Sequence, residues 1–377
     1  MTTPFDPIML GGRSLRNRIV MAPMSRSRAY GPEACPSPSA ATYYRQRASA
    51  GLIVTEGIQP SAVSRGYPAT SGLYTPRQVT AWREVTKAVH EEDGLIYAQL
   101  MHAGRIGHPS LLPPGVTPVG PSAIVANANV FTPDGPKSCI VPQELTGDEI
   151  AQTINDFVNA ALNAADAGFD GVEIHGANGF LIHQFLSTNA NRRTDMWGGP
   201  AENRIRFAVE LSAAVAGAIG SDRVGFQVSP ANPYNDIIED DYQETYVALA
   251  TELARLNLGY LAVAEGRDRE LTRQLRALWP RIFILNPFTA PEVTGLRELQ
   301  LIEDGTADMI AFGALFLANP DLPRRLAKGG PFNKPDPLTY YGGGDKGYTD
   351  YPSLLTPSQR SLGLCKTLSH MGRRWQG

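Results

Sequence analysis

The chain has 377 residues, of which 42% are hydrophobic and 19% charged, and its formal net charge is −3. This charge gives no electrostatic reason to expect nucleic acid or an anionic membrane as a partner, and no apolar run is long enough to span a bilayer. The N-terminal MTTPFDPIML lacks the basic region and the apolar run of a signal peptide. Three widely spaced cysteines, Cys35, Cys139 and Cys365, match neither a metal-binding motif nor a disulfide framework, so we expect a cytoplasmic protein.

Short apolar runs alternate with longer amphipathic segments along most of the chain. The runs predicted as strands are Arg18–Met21, Leu52–Thr55, Leu95–Leu100, Gly171–His175, Val224–Val228, Tyr260–Ala264, Ile282–Leu285 and Met309–Phe312. The clearest predicted helices between them are Pro76–Glu91, Ile150–Ala167, Ala201–Ala218 and Tyr242–Leu256. Thr146 and Glu149 form a capping box that marks the start of the second of these helices.

The pattern of the strands predicts the fold class. They read as continuous Val/Ile/Leu runs, which is typical of a parallel sheet buried on both faces. Eight strand–helix units without a Gly-rich nucleotide fingerprint favour an α/β protein with a (β/α)8 TIM barrel, and a doubly wound sheet is the alternative. The Pro- and Gly-rich segment Gly104–Leu145 follows the third strand and is predicted to be a lid. Because no second periodic core follows it, we expect a single domain over residues 1–377.

One stretch carries the clearest chemical signal. The run GFDGVEIHGANGF begins as a buried strand that ends at His175, and Asn178 follows on a glycine-containing loop. An imidazole and an amide placed this way can both donate hydrogen bonds to one carbonyl oxygen, as an oxyanion clamp does. A core histidine and a turn asparagine are the simpler interpretation, and the neighbouring glycines and the polar run NANRRTD make it the weaker one.

A series of motifs occurs in a fixed order along the chain. They are MAPMSRSRA, YYRQRASAGLIVTEG, AQLMHAGR, HGANGF, NRRTDMWGG with ENRIRF, FGALFLANPDLPRRL and GYTDYP. Together they resemble the Old Yellow Enzyme family, whose members reduce activated alkenes with flavin mononucleotide (FMN) and NAD(P)H. The resemblance covers essentially the whole chain.

The resemblance implies roles for several residues. Ser25 would lie against the flavin, and Gln99 would hydrogen-bond the pyrimidine side of its ring. His175 and Asn178 would hold the carbonyl oxygen of the substrate. The residues that would border the substrate cavity are Tyr67, Met101, Phe180 and Tyr348.

Other family positions are altered in this chain. Gln227 stands where the family has an Arg facing N1 and O2 of the flavin, and an amide supplies no positive charge there. At the phosphate end, Asn286–Pro287 replaces a Gly–Asn pair and Gly313–Ala314 replaces a Gly–Arg pair, which removes a backbone N–H and a guanidinium. Phe180 occupies the position of the family's usual proton-donating Tyr.

These replacements lead to a functional expectation. They favour an enzyme with lost or weakened FMN binding, hence no cofactor, that uses the clamp for isomerisation, cyclisation or rearrangement through an enolate. The alternative is an FMN-dependent NAD(P)H ene-reductase, and a non-catalytic binding protein is the third hypothesis. Glu265, after the sixth strand, and His102, after the third, compete as the base. We expect a small-molecule carbonyl substrate and no metal, and a homodimer is compatible with the sequence.

Overall fold

The protein, seen in a computed structural model that describes residues 2–354, is built around a closed barrel of eight parallel strands. An antiparallel hairpin, β1 (Ile8–Leu10) and β2 (Arg13–Leu15), precedes it. The barrel strands are β3 (Ile19–Met21), β4 (Leu52–Ile58), β5 (Ile96–Leu100), β10 (Gly171–Gly176), β11 (Val224–Val228), β12 (Tyr260–Ala264), β13 (Ile282–Asn286) and β14 (Met309–Phe312). They pair in chain order, and β14 closes on β3. The predicted α/β barrel is thus confirmed, and Cys365 lies outside the described residues.

Helices follow the strands along the chain. They are α1 (Pro38–Arg45), α2 (Pro76–His90), α3 (Gly147–Asp166), α4 (Leu181–Leu186), α5 (Ala201–Arg204), α6 (Arg206–Ile219), α7 (Tyr242–Arg255), α8 (Arg269–Leu278), α9 (Gln300–Glu303), α10 (Ala314–Ala318) and α11 (Leu322–Ala327). The helix predicted at Ala201–Ala218 is divided at Ile205, although this residue keeps helical dihedral angles. None of the helices within residues 2–354 is long and apolar enough to cross a membrane.

The capping box at the start of α3 forms as predicted. The backbone N–H of Glu149 donates to Thr146 Oγ1 at 3.2 Å, and the N–H of Thr146 donates to Glu149 Oε2 at 2.8 Å. These bonds satisfy two N–H groups that a helix start would otherwise leave without acceptors.

Side chains alternate between two apolar layers along each barrel strand. On β12, Tyr260 and Ala262 belong to the cluster inside the barrel, whereas Leu261 and Val263 belong to the cluster between the strands and the helices. The period of two follows from strand geometry. On β10 the outward residues are Val172 and Ile174, so the intervening polar residues point into the barrel.

The segment between β5 and α3 is more ordered than its sequence suggests. It contains β6 (Val119–Gly120), β7 (Asn129–Thr132), β8 (Gly135–Ser138) and β9 (Gln143–Glu144), with β7 antiparallel to β8 and β6 parallel to β9. Its buried residues Ala126 and Val130 share a cluster with Met101 and Phe180. The segment therefore packs against candidate site residues, as a cover would.

Candidate active site

Four polar side chains meet inside the barrel in a buried hydrogen-bond network. Gln99 Nε2 donates to Glu173 Oε1 at 2.8 Å and to Gln227 Oε1 at 3.0 Å, while the hydroxyl of Tyr260 donates to Glu173 Oε2 at 3.0 Å. The strand register produces this meeting, because Glu173 lies beside Gln99 and His175 lies beside Gln227. Gln99 thus uses its N–H groups inside the network. Among residues 2–354, nothing donates to its oxygen and nothing accepts from the N–H groups of Gln227, so the pair offers one acceptor and one donor group.

Glu173 is the titratable member of this network. Its full burial raises the pKa of the carboxyl to about 7, although the hydrogen bonds from Gln99 and Tyr260 partly oppose the shift. Both groups that face it are neutral at pH 7, so the charged carboxylate has no cation to compensate it.

His175 is held as a neutral donor. Its Nδ1 accepts the backbone N–H of Ala177 at 3.3 Å, so the ring proton resides on Nε2. Burial, with a smaller contribution from His183, lowers the pKa of His175 to about 3. The imidazole is therefore uncharged near neutral pH and offers one N–H.

Asn178 also presents a donor, because the loop around it uses its acceptors. The residue has a left-handed backbone conformation with φ of 55°. Its Oδ1 accepts from Asn232 Nδ2 at 2.9 Å, and its backbone carbonyl accepts from Asn235 Nδ2 at 2.8 Å. Its backbone N–H donates to Ser229 Oγ at 2.8 Å. Among the described residues, nothing accepts a hydrogen bond from Asn178 Nδ2.

A cavity of about 150 Å³ opens above this network at the carboxyl ends of the strands. Its polar lining consists of Glu173, Asn178, Gln227 and Asn286. The last three were predicted as site residues from the sequence, and Glu173 was not. Its apolar lining includes Ala22, Pro23, Val54, Ala262, Ile284 and Ala311. In a TIM barrel this face is where active sites lie.

Three of the predicted wall residues lie together. Tyr67, Met101 and Phe180 share one apolar cluster. The rings of Tyr67 and Phe180 meet edge to face with 6.1 Å between their centroids. The centroids of the Phe180 and His175 rings are 5.2 Å apart. Gly57 makes room for Met101, because a Cβ at Gly57 would lie 2.8 Å from Met101 Sδ.

Tyr348 lies in a different place from these three. It is 1% exposed and stacks on Tyr43 with 4.2 Å between ring centroids. The guanidinium of Arg28 lies over the ring of Tyr348, with its Cζ 4.5 Å from the ring centroid. The cavity lining includes neither Tyr348 nor Tyr67, Met101 and Phe180, so the roles of all four as cavity walls stay predictions.

The residues predicted around the flavin phosphate stand at the ends of two neighbouring strands, β13 and β14. Asn286 lines the cavity and ties β13 to β14, since its Nδ2 donates to the carbonyl of Ala311 at 2.9 Å. Pro287 instead lines a separate depression beside Phe288 and Arg269. Gly313 and Ala314 form the start of α10, and half-buried Ser25 follows β3.

The two residues considered as bases have structural roles. Glu265 is bound by the guanidinium of Arg269, the hydroxyl of Thr272 and the N–H of Phe288. His102 Nδ1 accepts the N–H of Gly104 at 3.0 Å, and burial lowers the pKa of this histidine to about 4. Neither of them lines the cavity.

Sequence reasoning missed Glu173 in the buried network and the two asparagines that hold Asn178. Glu173 stands two positions before His175, and the strand period of two could have placed both on the inner face. Asn232 and Asn235 carry no such signal, because they lie on an irregular loop after β11 whose conformation no pattern gives. Within the described part of the chain, no group of His, Cys, Asp and Glu has the arrangement of a metal site.

Comparisons with known proteins identify the family of the chain. Residues 4–333 match the NADH:flavin oxidoreductase / NADH oxidase family. The chain is 40% identical to a probable flavin mononucleotide-dependent alkene reductase of Leishmania infantum (92% of this chain, 96% of the relative) and 40% identical to 12-oxophytodienoate reductase 1 of Oryza sativa subsp. japonica (92% of each).

Solved structures give the same result. Morphinone reductase in complex with tetrahydroNAD superposes with a TM-score of 0.89 at 41% identity, covering 94% of this chain and 99% of the other. The Old Yellow Enzyme homologue from Zymomonas mobilis has the same TM-score at 37% identity, covering 94% and 100%. The chain therefore belongs to the NADH:flavin oxidoreductase / NADH oxidase family, which is the family of the Old Yellow Enzymes.

Proposed function

We propose that this protein is an FMN-dependent ene-reductase that uses NAD(P)H to reduce the C=C bond of an α,β-unsaturated carbonyl compound. The observation that carries the proposal is the pair of uncharged donors, His175 Nε2 at the end of β10 and Asn178 Nδ2 on the loop after it, with Asn178 lining a cavity at the barrel mouth. Relatives at 40% identity are named as alkene and oxophytodienoate reductases. This replaces the flavin-free enzyme, the first expectation from the sequence, as the favoured function.

The residues present fit the pyrimidine end of a flavin. That end carries an N–H flanked by two carbonyl oxygens, and it needs an acceptor next to a donor. Gln99 keeps a free oxygen and Gln227 keeps free N–H groups, because the bond between them and the bond to Glu173 fix both amides. Gln99 and Gln227 would therefore hold FMN on this side.

The phosphate end supplies fewer contacts. Ala314 offers no guanidinium and Pro287 no N–H, and a lost charge-assisted hydrogen bond is worth about 1.5–3 kcal/mol. We therefore expect FMN to bind more weakly than a site with both groups would bind it, by on the order of tenfold or more. Weakened binding is the part of the sequence hypothesis that we retain.

The clamp prepares the substrate for reduction. FMN, when bound, would supply hydride transfer from NAD(P)H to the β-carbon of the alkene. The proton for the α-carbon would come from water, because Phe180 has no proton to give. His175 and Asn178 would donate to the carbonyl oxygen, draw electron density from the conjugated C=C bond and stabilise the negative charge that develops on the oxygen. Because the His175 pKa is about 3, the imidazole does this as a neutral donor and does not protonate the substrate.

A second candidate follows from Glu173. Its carboxyl lines the same cavity as Asn178 and has a pKa of about 7, which suits a general base. Paired with the clamp, such a base would support isomerisation through an enolate without flavin. Both carboxyl oxygens accept hydrogen bonds in the network, so we rank this function second.

Purification with and without added FMN separates the two functions. We expect a yellow protein whose flavin is bleached by NAD(P)H without oxygen and whose colour returns when 2-cyclohexen-1-one is added. The Gln227→Arg variant should bind FMN at least as tightly as the wild-type protein does. A colourless protein that does not bind FMN but still converts an enone would overturn the reductase and favour the isomerase. A homodimer, a single domain and a cytoplasmic location stay predictions.

A further inference from the structure

We propose that Asn232 is a positioning residue that fixes the polarity of the clamp, so that the site accepts carbonyl oxygens and rejects hydroxyl groups. The inference rests on the proposed function, because it assumes that Asn178 contacts the substrate. Asn232 lies in the loop after β11 and lines none of the cavity itself. It would act only through the orientation of Asn178.

The orientation of the Asn232 amide follows from its contact with the backbone N–H of Tyr234, a group that can donate but not accept. The two ends of an amide side chain look alike, so its hydrogen-bond partners decide which end is which. The backbone N–H of Tyr234 can only donate, and it meets Asn232 Oδ1 at 3.1 Å. The other end of the Asn232 amide, which faces Asn178, is therefore its NH2 group.

The orientation of Asn178 then follows in turn. The NH2 group of Asn232 needs an acceptor, and Asn178 Oδ1 supplies it at 2.9 Å. Asn178 Nδ2 is left for the cavity that Asn178 lines. The main chain of Asn178 cannot readily turn to change this, because Ser229 holds its N–H and Asn235 holds its carbonyl oxygen.

The consequence is a choice of ligand chemistry. With Nδ2 facing the cavity, Asn178 and its partner in the proposed clamp, His175, would offer two donors, so a ligand must bring an acceptor such as a ketone or aldehyde oxygen. An alcohol of the same carbon skeleton can accept from these two donors as well, but its own hydrogen then has no acceptor. One residue outside the cavity thus selects between the two oxidation levels of the substrate oxygen.

The Asn232→Asp variant reverses this arrangement with almost no change in shape. One Asp oxygen still accepts from Tyr234 N–H, and the other can only accept, so Asn178 must turn its NH2 group toward it and present Oδ1 to the ligand. We expect the affinity for 2-cyclohexen-1-one to fall on the order of tenfold. The affinity for 2-cyclohexen-1-ol should rise, so the ratio of the two should invert. Both are measured by calorimetric titration of the full chain with FMN added.

Matched variants make the outcome decisive. Asn235→Asp adds the same charge to the same loop, but its contacts are the main chain of Asn178 and the side chain of Tyr67 rather than the Asn178 amide, so it should weaken both ligands without inverting their ratio. If Asn232→Asp does not fold, Asn232→Ala should lower the enone preference without inverting it. A folded Asn232→Asp or Asn232→Ala variant with the wild-type ratio overturns the inference. An Asn178→Ala variant that binds the enone as tightly as wild type would instead overturn the clamp in the proposed function.

Discussion

The clamp depends on two side chains whose chemistry is set by their nearest neighbours. His175 is neutral because burial lowers its pKa and the N–H of Ala177 fixes its tautomer. Asn178 is a donor because Asn232 takes its oxygen. Neither property can be read from the residue type alone. The sequence predicts that these two residues are close, whereas their protonation and orientation come from loops without periodic signal.

Replacing His175 and Asn178 together by Ala should lower kcat/KM for an enone by on the order of a thousandfold, since each lost donor to a developing oxyanion costs a large factor. Stability should fall only slightly, by about 1 kcal/mol, because Ala at position 178 must adopt φ of 55°. Steady-state kinetics and thermal unfolding measure the two effects. A large loss of stability with unchanged activity per folded molecule would show that the pair is structural.

Glu173 should make stability depend on pH. The pKa of Glu173 in the folded protein, about 7, lies above the ordinary 4.5. Its contribution to the free energy of unfolding is therefore fully present below pH 4.5 and is lost as the pH rises through 7. The change corresponds to about 3 kcal/mol. Glu173→Gln keeps the acceptor for Gln99 but cannot ionise, so its unfolding free energy should fall less than that of wild type between pH 4.5 and 8.

The measurement is denaturant unfolding at several pH values. Glu292→Gln, which changes an exposed carboxyl, is the control and should follow the wild-type profile. Glu56 is a second fully buried carboxyl whose pKa burial raises to about 7, so the Glu173→Gln profile should keep part of the pH dependence. Identical profiles for Glu173→Gln and wild type would mean that Glu173 is not an isolated buried acid.

At the scale of elements, the strands were predictable and the loops were not. A barrel strand is short, apolar and flanked by turns, so β11 and β12 have the predicted ends. The strand predicted at Leu52–Thr55 runs on to Ile58, and its pairing with β5 shifts register between Val54 and Gly57. The loop after β11 has three residues with positive φ, Ala231, Asn235 and Asp236, and such conformations leave little trace in a single sequence.

At the scale of the whole molecule, the C-terminal segment is tied back to the start of the barrel. Arg26, just after β3, is 1% exposed and donates to the carbonyls of Tyr340 at 2.9 Å, Thr339 at 3.2 Å and Gly347 at 2.8 Å. These bonds join residues more than 300 positions apart. The GYTDYP motif contributes to the family resemblance, but the motif alone does not show that the ring of Tyr348 lies beside the guanidinium groups of Arg26 and Arg28.

Arg26→Lys should therefore loosen this connection. A lysine keeps the charge but lacks the planar fork that reaches three carbonyls at once, so some of these buried acceptors lose their partner, at a cost of at least about 2 kcal/mol. The exposed part of the segment, which includes Leu338 and Tyr341, should become the first site of limited proteolysis. Arg297→Lys changes an exposed ion pair with Glu292 and should leave stability and cleavage unchanged, because such pairs contribute little. If both variants behave alike, the Arg26 bonds do not hold the C-terminal segment in place, and its position must depend on the stacking of Tyr348 on Tyr43 instead.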